Sequence, residues 1–161
     1  MHRVEQFLGH VRAHVTPDEE ARARLLLPAA AWPLFAAMPV ADRRHALDVV
    51  RRLTDAGHDD ADLLAAALLH DVAKGPRMRL WHRVGGVLLE AAAPRMLRRL
   101  GSAESRSWRH GFYLYLHHGE LSADAAAGVG CPDRVVAFIG GTAAKPDASL
   151  AAAFAAADEA S

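Results

Sequence analysis

The sequence predicts an all-α domain, and three observations support this class. Apolar residues recur at helical spacing in several segments, no segment keeps the period-two alternation of a strand, and glycine and proline separate the periodic segments. A chain of 161 residues is long enough for one domain with a full core. With 52% hydrophobic and 24% charged residues, the composition is that of a folded protein. We expect about eight helices in a single domain over residues 1–161.

Residues 1–39 are predicted to form an N-terminal helical extension. Residues 3–15 carry an apolar stripe at helical spacing. The segment 16–19 (Thr-Pro-Asp-Glu) is typical of an N-cap, a proline at the first helical position and a capping-box glutamate. The helix that starts there should run to Leu27, and a short helix or turn should follow at residues 32–35.

Residues 40–160 are predicted to form the helical core. One helix covers residues 41–56, and the next runs from the acidic pair at Asp59 to Asp71, where Gly75 and Pro76 should stop it. Further helices are expected at residues 79–100 with a break at Pro94, and at residues 104–118, 121–127, 132–139 and 146–158.

Charge and cysteine content restrict the function classes. The 19 basic and 19 acidic residues cancel, which disfavours general attraction to nucleic acid or to an anionic membrane. The single cysteine, Cys131, allows no intramolecular disulfide and no cysteine-based zinc motif. No apolar run approaches the ~20 residues of a membrane span, and no signal core follows the N-terminus. We therefore expect a cytoplasmic protein.

The most unusual stretch is the end of the apolar run at residues 63–69. His70 and Asp71 follow this run directly, and Lys74 comes one turn later. Buried helices gain no stability from such groups unless the groups are paired or bind a metal. Only Lys74 and Lys145 among the 19 basic residues are lysine, so a lysine beside the His-Asp pair is less expected by chance.

Two more residues can complete a site around His70 and Asp71. His45 lies on the preceding helix and Asp158 lies near the end of the chain, and in a helical bundle all four could meet in the groove between three helices. Mixed imidazole and carboxylate ligands suit a divalent ion such as Mn, Fe, Co, Ni or Zn. A bound divalent ion activates water and polarises a phosphoryl oxygen.

The order H…HD…D, supplied by His45, His70, Asp71 and Asp158, resembles that of the HD-domain metal-dependent phosphohydrolases over roughly residues 40–160. The His-Asp-x-x-Lys extension to Lys74 and the Ala-Asp pair that ends at Asp158 agree with this family. The resemblance implies an HD-type helical bundle with a divalent metal on these four residues. It also implies hydrolysis of a small phosphorylated substrate, such as a nucleotide, with Asp71 orienting the water and Lys74 balancing charge on the phosphate.

A narrower resemblance concerns a second metal. Residues 118–123 (His-Gly-Glu-Leu-Ser-Ala) resemble the His-x-x-x-x-Ala segment of HD proteins that cleave dinucleoside tetraphosphates symmetrically and hold two metals. Those proteins supply a further histidine from an Ile-x-x-His-Thr segment, but here Gly141 stands in its place. The chain could therefore be a mononuclear enzyme, complete a dinuclear site with His117 or His82, or have a reduced activity.

Several residues near the predicted site have a structural interpretation beside the functional one. His118 is balanced between a ligand and a surface residue, and His82 is expected at the surface or behind the ligands. Arg77 and Arg83 belong to an arginine cluster that is most simply a solvated face, although such side chains could also bind phosphate. We therefore retain His118, His82, Arg77 and Arg83 as possible additional ligands or substrate contacts.

The sequence supports two functions. The first is an HD-type phosphohydrolase, favoured by the complete set around His70 and Asp71. The alternative is a regulatory module of reduced activity that keeps a metal or binds a nucleotide, favoured by Gly141. A helical scaffold without any site would require His45 and Asp158 to lie far from His70.

Overall fold

A short apolar helix at Ala61–Leu69 lies at the centre of the molecule. The computed structural model describes residues 14–161, and in this part of the chain the secondary structure is entirely helical, which confirms the all-α class. The helices are α1 Pro17–Leu26, α2 Trp32–Ala36, α3 Val40–Asp55, α4 Ala61–Leu69, α5 Leu80–Ala92, α6 Pro94–Leu100, α7 His110–Gly128, α8 Asp133–Ile139, a 3₁₀ helix at Lys145–Asp147, and α9 Ala148–Ala160. The helix predicted at residues 3–15 falls almost entirely outside the described range.

Helix α4 is central because it is apolar on every side. All seven residues from Leu63 to Leu69 are buried, and α1, α2, α3, α8 and α9 all pack against the helix. A helix that is hydrophobic all round has no face for solvent and must be enclosed. Burial of each leucine contributes about 1.5–3 kcal/mol, so this helix is a major source of stability for the core.

The N-terminal part of the described chain follows its sequence signals. Thr16 caps α1, Pro17 is the first helical residue, and Glu19 completes the capping box, as predicted. Arg44 of α3 donates to Glu19 at 2.6 Å and to Asp48 at 3.2 Å, which ties α1 to α3. The predicted short helix at residues 32–35 is confirmed as α2.

Two predicted boundaries need correction in α7. The prediction of separate helices at residues 104–118 and 121–127 is wrong, because α7 continues through Gly119. One glycine inside a helix costs only about 1 kcal/mol relative to alanine, and packing of α7 outweighs that cost. The start is also later than predicted, at His110, because residues 104–109 form turns in which Arg109 donates to the carbonyl of Leu100 at 2.7 Å.

One further helix boundary is confirmed. The predicted break at Pro94 separates α5 from α6. Within residues 14–161, no helix combines the length and apolar character that crossing a membrane would require.

Replacing Glu19 with glutamine should remove a pH-dependent contribution to stability. Hydrogen bonds from the Thr16 backbone and from Arg44 lower the pKa of Glu19 from 4.5 to about 2. Because the pKa is lower in the folded state, the contribution is complete above pH 4.5 and is lost as the pH falls from there to about 2. Urea unfolding at several pH values should show Glu19→Gln to be less stable than wild type by about 1 kcal/mol at neutral pH, a value that allows for solvent screening.

The difference between the two proteins should vanish at the acid end of this range. Glu104→Gln is the matched control, since Glu104 is exposed and makes no ion pair within residues 14–161. A difference that stays constant over the whole pH range would contradict the assigned pKa shift.

Candidate metal centre

The regular α-helix ends immediately before the His-Asp pair, and residues 70–77 form turns in which His70 keeps right-handed helical dihedral angles. Helix α4 ends at Leu69, so the prediction that it continues through Asp71 is wrong. The backbone N–H of Ala73 donates to Ser122 Oγ of α7 at 3.1 Å, which takes this amide out of the helical pattern. Adjacent residues in a regular helix project about 100° apart, whereas the turn that begins at His70 allows both side chains to reach one cluster.

Four predicted ligands come together at this turn. His45 of α3, His70 and Asp158 of α9 each place one ligand atom within 4.8 Å of the other two, and this group could hold a metal ion. Asp158 Oδ1 lies 2.9 Å from His45 Nε2 and 3.3 Å from His70 Nε2. Asp71 completes the cluster, with Oδ1 3.5 Å from His70 Nε2 and Oδ2 3.9 Å from His45 Nε2.

Backbone hydrogen bonds fix the imidazole of His70 for use as a ligand. Its Nδ1–H donates to the carbonyl of Ala67 at 2.9 Å, so Nε2 is the ring nitrogen that faces the cluster. The ring of Phe154 packs edge-on against His70 with centroids 5.6 Å apart. A hydrogen bond of this kind from the other ring nitrogen is the usual way in which proteins orient a metal-binding histidine.

His118 of α7 has the same arrangement. Its Nδ1–H donates to the carbonyl of Tyr115 at 2.9 Å, and its Nε2 lies 3.9 Å from Asp71 Oδ1. Burial lowers the pKa of His118, and the nearby Lys74 lowers it further, so the neutral ring is favoured. The sequence left His118 open between a ligand and a surface residue, and its position facing Asp71 fits a ligand.

Two buried polar atoms in the cluster make no hydrogen bond within the described residues. They are His70 Nε2 and Asp71 Oδ1, which face each other at 3.5 Å. An unsatisfied buried polar group costs about 1–3 kcal/mol, and more when it is charged. A divalent ion that accepts both lone pairs would remove this cost, and the imidazole and carboxylate set is chemically suited to such an ion.

The charges in the cluster stabilise one another. Burial raises the pKa of Asp71, but the positive charges of His70 and Lys74 outweigh burial and hold this pKa well below its ordinary value. Burial lowers the pKa of His70, but the carboxylates of Asp71 and Asp158 outweigh burial and raise it. Burial also raises the pKa of Asp158, but His45 and His70 lower it by more, so this pKa lies below its ordinary value. Both carboxylates are therefore ionised at neutral pH.

Lys74 contacts the same carboxylate that faces the histidines. Its Nζ donates to Asp71 Oδ2 at 2.6 Å. The Asp71 side chain is 1% exposed and that of Lys74 is 19% exposed, so the ion pair lies at the floor of the centre. The mouth is formed by His45, His118 and Asp158, whose side chains are 27%, 34% and 44% exposed. A small molecule from solvent could therefore reach the cluster.

Three predicted candidates lie elsewhere and are engaged in other contacts. Arg83 binds both oxygens of the buried Asp42 at 2.7 and 2.9 Å. Arg77 donates to the backbone carbonyl of Ser105. The expectation that His82 lies at the surface or behind the ligands is wrong, because its ring is buried and uses both nitrogens for backbone contacts outside the cluster.

Of the residues considered as ligands of a second metal, some lie close to the cluster and others do not. His117 hydrogen-bonds Glu120 at 3.2 Å on the exposed face of α7. Gly141 follows α8 in an exposed turn with φ +67°, a conformation that favours glycine over histidine. His118 is thus the one candidate of this group that contacts the cluster.

Ser122 is a positioning residue that the sequence did not reveal. It is fully buried, and its hydroxyl accepts from Ala73 two residues after Asp71. A serine between Leu121 and Ala123 on a packed helix face was a weak signal of this role, because a buried hydroxyl needs a partner. The sequence also gave little sign that Asp42 is buried, because acids are common in the first turn of a helix whether they are buried or exposed.

Comparisons of the chain with protein-family models, with curated proteins and with solved structures gave no match.

Replacing Ser122 with alanine should loosen the turn that carries His70 and Asp71. The Ala73 N–H would lose its acceptor, and we expect a loss of about 1–2 kcal/mol in the free energy of unfolding. Hydrogen exchange should show faster exchange of the Ala73 amide in Ser122→Ala. Ser149→Ala, at an exposed position of α9, is the control, and an unchanged exchange rate at Ala73 would refute the role of Ser122.

Arg83 should behave as a structural residue. Arg83→Met leaves the Asp42 carboxylate buried without its partner, and we expect a destabilisation of about 3 kcal/mol in urea unfolding. The double variant Asp42→Asn/Arg83→Met should recover part of this loss, because the unpaired charge is gone. Arg98→Met, at an exposed position of α6, should be close to wild type. Wild-type stability in Arg83→Met would instead favour the substrate-contact interpretation.

Proposed function

We propose that the protein is a metal-dependent phosphohydrolase that acts on a small phosphate ester or anhydride, such as a nucleotide. The observation that carries this proposal is a pair of buried atoms, His70 Nε2 and Asp71 Oδ1, that make no hydrogen bond within residues 14–161 and lie in a cluster with His45 and Asp158. The order of these residues along the chain is the one that resembles HD-domain phosphohydrolases.

The ligand set of the proposed centre is His45, His70, Asp71 and Asp158. His70 contributes a lone pair whose direction is fixed by the hydrogen bond to Ala67. Asp71 and Asp158 contribute carboxylates that neighbouring positive charges keep ionised. A divalent ion held by this set supplies Lewis acidity and lowers the pKa of bound water. Mn, Fe, Co, Ni and Zn all fit mixed nitrogen and oxygen ligands.

Residues of the chain perform the remaining tasks in the proposed reaction. Asp71 has two oxygens with different environments, since Oδ2 accepts from Lys74 while Oδ1 makes no hydrogen bond with the described part of the chain. Oδ1 is therefore available to orient a water or a metal. Lys74 is partly exposed and can donate its other N–H groups to a phosphate oxygen. His118, whose Nε2 lies 3.9 Å from Asp71 Oδ1, can bind or orient the substrate.

A second function is favoured by one observation. Gly141 adopts a left-handed conformation at the position where the resemblance calls for a histidine, so a second metal cannot be bound there in the same way. If the protein binds one metal ion but hydrolyses no substrate, it would be a regulatory module. Metal analysis combined with a hydrolysis screen separates the two functions.

Replacing Asp71 with asparagine should remove both metal binding and hydrolysis. We expect the metal affinity to fall at least about tenfold, because loss of a direct ligand should cost no less than loss of a supporting residue. The measurements are metal content by mass spectrometry and turnover of nucleotides and p-nitrophenyl phosphates with Mn, Co or Ni. Asp42→Asn is the matched control, since Asp42 is equally buried but lies outside the cluster.

Full metal loading with retained turnover in Asp71→Asn would rule the assignment out. One metal per wild-type chain without hydrolysis of any of these substrates would favour the regulatory module.

A further inference from the structure

A pocket apart from the four proposed ligands lies where α5 and α7 begin. It has a volume of about 360 Å³, and its walls come from two segments, residues 76–82 and residues 105–111. This volume lies within the range of small-molecule sites, about 300–1,000 Å³. Three arginines line it, Arg77, Arg79 and Arg106, and no acidic side chain lies among its lining residues. The pocket is therefore electropositive.

The buried ring of His82 holds the two walls together. Its Nδ1 accepts from the backbone N–H of Arg79 at 3.1 Å, and its Nε2–H donates to the carbonyl of Trp108 at 2.8 Å. Gly111 makes room for this ring, since a Cβ at Gly111 would lie 2.4 Å from it. Arg77 adds a further link by donating to Ser105 across the pocket. The two walls of the pocket are thus held in place by contacts within the protein.

Two of the arginines are available for a ligand. Arg79 and Arg106 are exposed, and neither makes an ion pair within residues 14–161. By contrast, Arg83 nearby is committed to Asp42. Guanidinium groups match the geometry of phosphate oxygens and form strong charge-assisted hydrogen bonds with them.

Aromatic faces lie beside these arginines. Trp81 stacks on His82 with centroids 3.5 Å apart, and Trp108 lies 6.0 Å from Trp81. Trp81 and Trp108 remain 46% and 60% exposed, although tryptophan is usually well buried. The centroid separation is too short to admit a third ring between them, so a flat ligand would stack on the open face of Trp108.

We propose that this pocket binds a nucleoside phosphate, with the phosphate on Arg79 and Arg106 and the base on Trp108. A nucleoside phosphate combines the two features that the pocket can recognise, a flat aromatic ring and clustered negative charge. Base stacking on an aromatic side chain and a phosphate held by arginine are both strong contacts. This inference goes beyond the proposed hydrolysis, because binding in the pocket needs neither a metal nor turnover.

The test is isothermal titration of the full chain with ADP in the presence of EDTA. Adenosine and pyrophosphate are titrated separately and should each bind at least about tenfold more weakly than ADP, since each lacks one of the two contacts. Arg79→Gln/Arg106→Gln and Trp108→Ala should each weaken ADP binding by about tenfold or more. All three residues are exposed, so circular dichroism should show the fold intact.

The matched control is Arg95→Gln/Arg98→Gln, which removes two exposed arginines of α6 outside the pocket and should keep wild-type affinity. Asp71→Asn should also keep it, so a failure of the proposed hydrolysis and a failure of this inference give different results. The inference is overturned if ADP does not bind, if the pocket variants bind ADP like wild type, or if pyrophosphate or adenosine alone binds as tightly as ADP.

Discussion

Asp71 is an ionised side chain in a place that water hardly reaches, and much of the surrounding structure compensates for its charge. Lys74 neutralises one oxygen, while His70 and His118 lie beside the other. A buried carboxylate without such partners would be protonated or would destabilise the fold. The arrangement is nevertheless incomplete, because Oδ1 accepts no hydrogen bond from residues 14–161. A cation is the group that the remaining lone pair and the neighbouring imidazole would both satisfy.

The position of this carboxylate depends on how the most buried helix ends. Helix α4 brings an apolar surface to the middle of the core, and its last turn would have pointed His70 and Asp71 in different directions. Instead the helix ends at Leu69, residues 70–77 form turns, and the amide of Ala73 donates to Ser122 of α7. The surrounding helices α3 and α9 then supply His45 and Asp158 from residues far apart in sequence. The helices that pack the core are therefore the same ones that bring the cluster together.

The sequence predicted the helical class, most helix positions and the residues that meet at the cluster, because helical periodicity and caps are local signals. It did not predict the end of α4 or the continuity of α7 through Gly119, since both depend on contacts between helices. It also could not show that Arg83 is committed to Asp42, because an arginine on a helix looks the same in sequence whether it meets a buried acid or solvent. Ser122 was missed for the same reason.

His70, His118 and His82 show why residue type alone does not define a ligand. In His70 and His118 the Nδ1–H donates to the carbonyl three residues earlier, which leaves Nε2 as the nitrogen facing Asp71. In His82 the Nδ1 accepts the amide of Arg79, so Nε2 must carry the proton and donates it to Trp108. The same side-chain type thus points one ring nitrogen at the proposed metal centre in His70 and His118 and joins two backbone segments in His82. The residue that each Nε2 faces, Asp71 or Trp108, separates these roles, and local sequence does not encode it.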